Sequence, residues 1–511
     1  MTRDTRTASP SSVRAEATTG DPIDPDDVTV AYVGGGSRQW VPNLVQDLAL
    51  SRFDGEVRLY DVDRESAERN ARFGNWVDDR EDATASWTYA ATDDLEAALS
   101  GADVVLLSTQ YDPRETFVHD LEIPKEYGIY GAVAATIGPG GILRAMRTIP
   151  LYRRFAAAIR EHCPDAWVFN FTNPVHFVTR ALHDEYPGIN AVGMCHEVLH
   201  GRGRLADFAE EHLGMDADRE DVSVNVKGIN HFTWIDEATC KGVDLWPTID
   251  DLAHGEVGSR RYEPADIADT SPFTDRWQVS WELYRDFGLL PLAGDRHVVE
   301  YATWFLQGGK EELNRWGVTR TGSDFRAKHW TPAESEQTTD VAAWLSGERE
   351  FDLEASDEVL LEVLDALAGG GTFVTNVNLP NRGQIPDLES GAVVETNALV
   401  SAGEIRPLCA GGFPRPLRSL IGTHVDTIET VVEAARDGDV DRAFRAFLLD
   451  PQVRGLSPED ARECFAELVA AEAPYLDDWR LEESDVLARA AASPDRYACG
   501  PYSPSASRTA R

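Results

Sequence analysis

A thiol and an imidazole stand 36 residues apart in this chain, Cys195 in Cys195-His196-Glu197-Val198 and His231 in Gly228-Ile229-Asn230-His231, each at the end of a short apolar run. One thiolate and one imidazole do not close a structural zinc site; as a pair they leave coordination positions open for substrate oxygens and water. A buried cysteine and a satisfied core histidine fit the same residues. The stretch His196-Glu197-Val198-Leu199-His200 also satisfies the H-E-x-x-H pattern of zinc proteases. That chemistry needs one helix carrying both histidines, and Gly201-Arg202-Gly203 is expected to break a helix there.

A second chemical motif is Gly34-Gly35-Gly36-Ser37, followed by Arg38, between the strand-like VTVAYV and an amphipathic stretch. Glycines at a strand-to-helix turn let the backbone approach a pyrophosphate while the helix N-terminus supplies N–H donors. Asp61 closes the next run, EVRLYD, where a carboxylate binds ribose hydroxyls and repels a 2′-phosphate, favouring NAD over NADP. The pattern departs from G-x-G-x-x-G at Gln39, and a tight turn is the plainer alternative. A third group is Gly138-Pro139-Gly140-Gly141 with Arg144 and Arg147, then Asn170-Phe171-Thr172-Asn173-Pro174, a loop and an amide suited to a bound ring and its hydroxyls, or simply a turn and a helix cap. A fourth is Gly294-Asp295-Arg296-His297 with Glu300 and Tyr301, either a functional cluster or a solvated face.

The elements that must position these groups alternate. Apolar runs at 28–33, 56–60, 103–108, 166–170, 189–194 and 222–230 are separated by amphipathic stretches, which predicts an α/β fold with a doubly wound, Rossmann-type parallel sheet over 28–230. From 231 to 499 the alternation weakens and helical periodicity appears at 273–287, 356–368, 426–448 and 457–473, which predicts a mixed α+β substrate and oligomerisation domain. Residues 311–350 read as a polar loop or lid. The segments 1–27 and 500–511 read as disordered.

With 511 residues, 88 Asp+Glu against 48 Lys+Arg and a formal charge of −40, the chain is a poor partner for nucleic acid or anionic lipid. Its 42% hydrophobic content and 13 Trp nevertheless specify a folded protein of enzyme size. Five lysines among the basic residues and a carboxylate-rich surface suit a halophile, because concentrated salt screens self-repulsion. No run of 18 apolar residues and no apolar leader are present, so a cytoplasmic protein with no membrane partner is expected. The six scattered cysteines, Cys163, Cys195, Cys240, Cys409, Cys464 and Cys499, suit reduced thiols.

Taken in order, the glycine loop, GPGG-x-x-R, Thr-Asn-Pro, Cys-His, G-I-N-H and the 293–301 cluster resemble glycoside hydrolase family 4, whose members use NAD in place of two-carboxylate hydrolysis. The resemblance runs from Val28 to at least Trp304, and Cys-His-Glu-Val is similar to its α-galacturonidase branch. It implies a lactate/malate dehydrogenase-like architecture and hydrolysis of α-galacturonides, small pectin-derived uronides such as digalacturonate, with α-galactosidase or α-glucosidase as the alternative. The implied route is C3 oxidation by NAD, C2 deprotonation, elimination of the aglycone and addition of water. The resemblance implies Cys195 and His231 as ligands of Mn²⁺, His196 as proton donor, Asp295 or else Tyr301 as the C2 base, and Asn173 on the substrate. Arg296 is expected to read the uronate carboxylate, with Arg38 second, and a homo-oligomer is expected. An NAD-dependent dehydrogenase with net redox turnover and a non-catalytic NAD sensor are the readings from other classes.

Overall fold

The computed structural model describes residues 16–110, 113–267, 270–322 and 336–492. Among these, fourteen strands form one sheet: β1 (Thr18–Thr19), β2 (Val28–Val33), β3 (Gly55–Tyr60), β4 (Trp87–Thr92), β5 (Val104–Leu107), β6 (Trp167–Asn170), β7 (Asn190–Gly193), β8 (Val222–Ile229), β9 (Phe232–Cys240), β10 (Val243–Asp244), β11 (Leu290–Pro291), β12 (Phe373–Pro380), β13 (Val393–Ser401) and β14 (Glu404–Pro407). The parallel part runs β4-β3-β2-β5-β6-β7, the doubly wound order with its switch point beside β2. Neighbouring residues of one strand are buried on opposite faces: Val30 and Leu106 pack on one side, Ala31 and Val105 on the other. That two-sided burial is why these strands read as unbroken apolar runs.

Beyond β7 the sheet continues through antiparallel strands, in the order β12-β13-β8-β9-β10. The expected boundary at 230/231 therefore falls inside a β-hairpin, with Ile229 facing Phe232 across a turn made by Asn230 and His231. A run of apolar residues carries no sign of its partner's direction, so β8 reads like its parallel predecessors.

The expected helices are present at Gln278–Phe287, Leu360–Leu367 and Pro458–Glu472. The predicted 426–448 helix is two, Arg415–Asp437 and Val440–Leu449, because Gly438 takes φ 62° and the Asp439 carboxylate caps the second. The predicted lid holds short helices at Lys310–Arg315 and Glu336–Ser346, with 323–335 outside the described residues. The disorder expected of 1–27 does not extend to 16–27: Thr18 and Thr19 pair with Ile405 and Glu404 on β14, and Ile23 is buried. Residues 1–15, Cys499 and the 500–511 tail lie outside the described residues. No helix among the described residues is long and apolar enough to cross a membrane.

Candidate active site

The C-terminal ends of the parallel strands open into one cleft of about 1090 Å³. Gly34, Gly36, Ser37, Arg38 and Asp61 form one part of its wall, and Asn173, Cys195, His196, Glu197, His231, Arg296 and His297 line it as well. Strand ends at a topological switch point are where α/β sheets bind ligands, so sheet geometry has gathered groups up to about 260 residues apart in sequence.

The glycine loop is set by close packing. Gly34 has φ 103°, and a Cβ there would stand 2.1 Å from the Ser108 carbonyl oxygen; a Cβ on Gly35 would stand 2.7 Å from Leu59. Gly36 N–H donates to Asp61 Oδ2 at 2.8 Å, and Asn70 Nδ2 donates to the carbonyls of Gly35 and Ser37, both at 2.8 Å. Asn70 is thus a brace that the motif does not announce. Helix Trp40–Ala49 follows with its first N–H groups at the loop, as an anion site requires.

Cys195 follows β7, and His196 is the N-cap of helix Glu197–Leu213. This helix passes straight through Gly201 and Gly203, contrary to the expected break. Gly201 is held by packing: a Cβ on it would meet Leu292 at 2.4 Å. His196 and His200 therefore do meet one turn apart, 4.6 Å between ring centroids, and with Glu197 their ligand atoms lie within 4.8 Å of one another. Glu197 is committed elsewhere. It accepts the Gly294 N–H at 2.9 Å, and its other oxygen lies 3.5 Å from both Arg296 Nη2 and His297 Nε2. Burial opposes its charge, but His297, His231 and Arg296 hold the carboxyl well below its ordinary range.

His231 sits in the β8–β9 turn with φ 62°, which turns its ring onto that of His297, centroids 4.1 Å apart. The Nδ1 atoms of both are buried without a hydrogen-bond partner among the described residues. An orphaned imidazole nitrogen on a cleft wall shared with a cysteine, near which lie the carboxylates of Glu197 and Glu395, fits a divalent cation. Burial and those two carboxylates push the Cys195 thiol well up, so the surroundings oppose a bare thiolate and suit one bound to a cation. His196 stacks on Trp40 at 6.2 Å, and burial lowers its pKa.

Two expected residues are absent from the cleft wall. Both oxygens of Asp295 are spent on the start of helix Gln278–Phe287: Oδ2 accepts from Val279 N at 3.0 Å, Oδ1 from Ser280 N at 3.0 Å and Ser280 Oγ at 2.8 Å. Tyr301 is fully buried, its ring stacked on Phe232 at 4.9 Å and its hydroxyl donating to Asn230 O at 2.8 Å. Neither presents a base to the cleft; one caps a helix and the other props the turn that carries His231. Among the wall residues not assigned from motifs are His297, Glu197, Trp40 and Phe273. His297 had a signal, its place beside Arg296; the aromatic wall had none, because facing the cleft depends on the chain's path.

The profile described as "Family 4 glycosyl hydrolase" matches residues 29–211, and that of the family's C-terminal domain matches 226–453. An α-galacturonidase of Thermoanaerobacterium saccharolyticum is 38% identical over 469 residues, covering 89% of this chain and 98% of its own. An α-galacturonidase of Bacillus subtilis is 37% identical, covering 87% and 97%, and an α-galactosidase of the same organism is 29% identical, covering 88% and 99%. A crystal structure from Bacillus subtilis, described as a candidate glucosidase, superposes with a TM-score of 0.79 at 36% identity over 87% of this chain and 100% of its own. Matched over both halves and folded alike, the chain belongs to family 4 of the glycosyl hydrolases.

Proposed function

We propose that this chain is an NAD- and Mn²⁺-dependent α-galacturonidase acting on small uronides in the cytoplasm of a salt-adapted cell. The observation that carries the reading is the single cleft in which a pyrophosphate-type glycine loop and Asp61 share a wall with Cys195, His231 and a cleft-facing arginine. The curated α-galacturonidases at 37–38% identity support the substrate.

The Gly34–Ser37 loop, with no side chains on its glycines, would let a pyrophosphate approach the backbone closely, with Arg38 beside it and Asp61 toward the ribose hydroxyls. Cys195 and His231 would hold the metal, with the His231 ring packed on that of His297. When bound, NAD supplies reversible hydride transfer and the metal supplies Lewis acidity toward sugar oxygens. Asn173 binds a sugar hydroxyl. His196, at the N-terminus of its helix, donates a proton to the leaving oxygen; burial lowers its pKa, which makes its protonated form the stronger acid. Arg296 offers a guanidinium to the uronate carboxylate across Phe273, on whose ring it lies at 4.5 Å.

Turnover of digalacturonate with NAD and Mn²⁺, omitting each in turn, tests the reading. Activity is expected only with both, without net NADH, and with deuterium entering C2 of the released sugar in heavy water. Net NADH would make it a dehydrogenase; faster turnover of an α-galactoside than of an α-galacturonide would make it an α-galactosidase.

A further inference from the structure

Beneath the cleft lies a buried carboxylate that, among the described residues, is bonded to no cationic side chain. Glu395 is 1% exposed on β13. The sheet register puts it in a row across four strands: Gly193 of β7 faces Asn378 of β12, Asn378 faces Glu395, and Glu395 faces Gly228 of β8. Cys195 lies two residues beyond Gly193, and His231 three beyond Gly228. Glu395 is thus seated between the two strands that end in the candidate metal ligands.

Its hydrogen bonds run to both. Asn376 Nδ2 donates to Glu395 Oε1 at 2.7 Å and to the Cys195 carbonyl at 3.2 Å, while Asn230, the residue before His231, donates through Nδ2 to Oε2 at 3.2 Å. Asn376 and Asn230 are 3% and 0% exposed. Among the described residues no arginine, lysine or histidine is bonded to this carboxylate. Two amide hydrogen bonds with no counter-charge are a poor setting for a buried anion, which is normally paired or sits beside a metal. Glutamine at this position would have kept an acceptor oxygen without the cost of the charge. The nearby place where a cation would make sense of the carboxylate is the Cys195–His231 pair.

We propose that Glu395 is a positioning residue for the divalent-metal site: through Asn376 and Asn230 it sets the two ligand-bearing strand ends, and its negative charge strengthens cation binding. The proposal rests on the metal reading above. It belongs to the class of outer contacts whose loss weakens metal binding by roughly ten- to hundredfold.

The test uses the full-length, reduced, metal-free chain titrated with Co²⁺, followed by the near-ultraviolet absorption that a thiolate gives on binding cobalt, with Mn²⁺ affinity measured in parallel by electron paramagnetic resonance. The unmodified chain is expected to develop the band and Cys195→Ser to lack it. Glu395→Gln is expected to keep the band while its Kd for both metals rises roughly ten- to hundredfold, and the rise in Tm on adding metal shrinks accordingly. An unchanged Kd in Glu395→Gln, with the band intact in the unmodified chain, overturns the proposal alone. No band in the unmodified chain overturns the metal reading and the proposal together. Should Glu395→Gln not fold, Asn376→Ala, which cuts the link to Cys195, carries the same test: roughly tenfold weaker Co²⁺ binding supports the proposal and unchanged binding overturns it.

Discussion

At the scale of single residues, the cleft turns on a few charges that would be expensive to bury alone. Arg296 has two acidic residues within five positions along the chain, Asp295 and Glu300, yet it pairs with Glu197, 99 positions away, while its neighbour Asp295 serves a helix end. Its guanidinium faces the cleft, 20% exposed, so a substrate carboxylate can reach it. Replacing Arg296 with Met removes a charge-assisted pair from a site that substrate binding dries, worth about 1.5–3 kcal/mol. kcat/KM for an α-galacturonide is expected to fall roughly ten- to hundredfold with NAD affinity unchanged, narrowing the preference over the matching α-galactoside. Equal losses on the two substrates would show that Arg296 supports Glu197 and His297 in general and reads no carboxylate.

At the scale of elements, helix ends account for the largest revision. The family resemblance implied Asp295 as a base; in the fold it caps helix Gln278–Phe287, receiving three hydrogen bonds at the helix start. Burial and the nearby Asp275 raise its pKa to about 7, which alone would have strengthened the appearance of a catalytic group. Asp295→Asn is expected to lower stability by about 1–2 kcal/mol in thermal unfolding, while the folded fraction keeps kcat/KM within about threefold. A folded but inactive Asp295→Asn enzyme would return Asp295 to the chemistry. Helix Glu197–Leu213 makes the opposite point: two glycines inside it did not break it, because Gly201 packs against Leu292 where no side chain fits.

At the scale of the whole molecule, the two halves of the chain share one sheet and one buried ionic knot. Arg147 of helix Gly138–His162 reaches Asp120 of helix Arg114–Glu126 and Glu472 of helix Pro458–Glu472, all three side chains at 0% exposure. Histidines are buried neutral in the same body. Burial depresses His424 to about 4, its Nε2 hydrogen-bonded to the Tyr301 carbonyl at 3.1 Å. The unfolded chain takes up a proton near pH 6.5 that the folded chain refuses until about pH 4, so this stability is full above pH 6.5 and lost as pH falls through that window. Relative to His424→Gln, the parent chain is expected to lose up to about 3 kcal/mol more between pH 6.5 and 4 in denaturant unfolding. Parallel pH profiles for the two would remove His424 from the acid limb. With a formal charge of −40, the melting temperature should climb as salt rises from about 0.1 to 1 M and the screening length shrinks from about 10 to 3 Å. A flat or falling curve would refute salt adaptation.

What the sequence by itself determined is local or additive. The glycine loop, Asp61, the Cys-His pair and His231 were legible because each needs only a residue type at a strand end, and the parallel, doubly wound character of the sheet from β2 to β7 followed from alternating apolar runs. Charge and composition, being sums over the chain, needed no structure at all. Only the tertiary fold decided which partner each polar group took. Glu197 finds Gly294 and Arg296, Asp295 finds a helix start, Tyr301 finds the Asn230 carbonyl, and Glu395 finds asparagines from β12 and from the β8–β9 turn. A carboxylate beside an arginine in sequence has no preference written into it. Its role is set by which unpaired N–H groups the fold leaves within about 3 Å, because a buried donor or acceptor left unmatched costs about 1–3 kcal/mol.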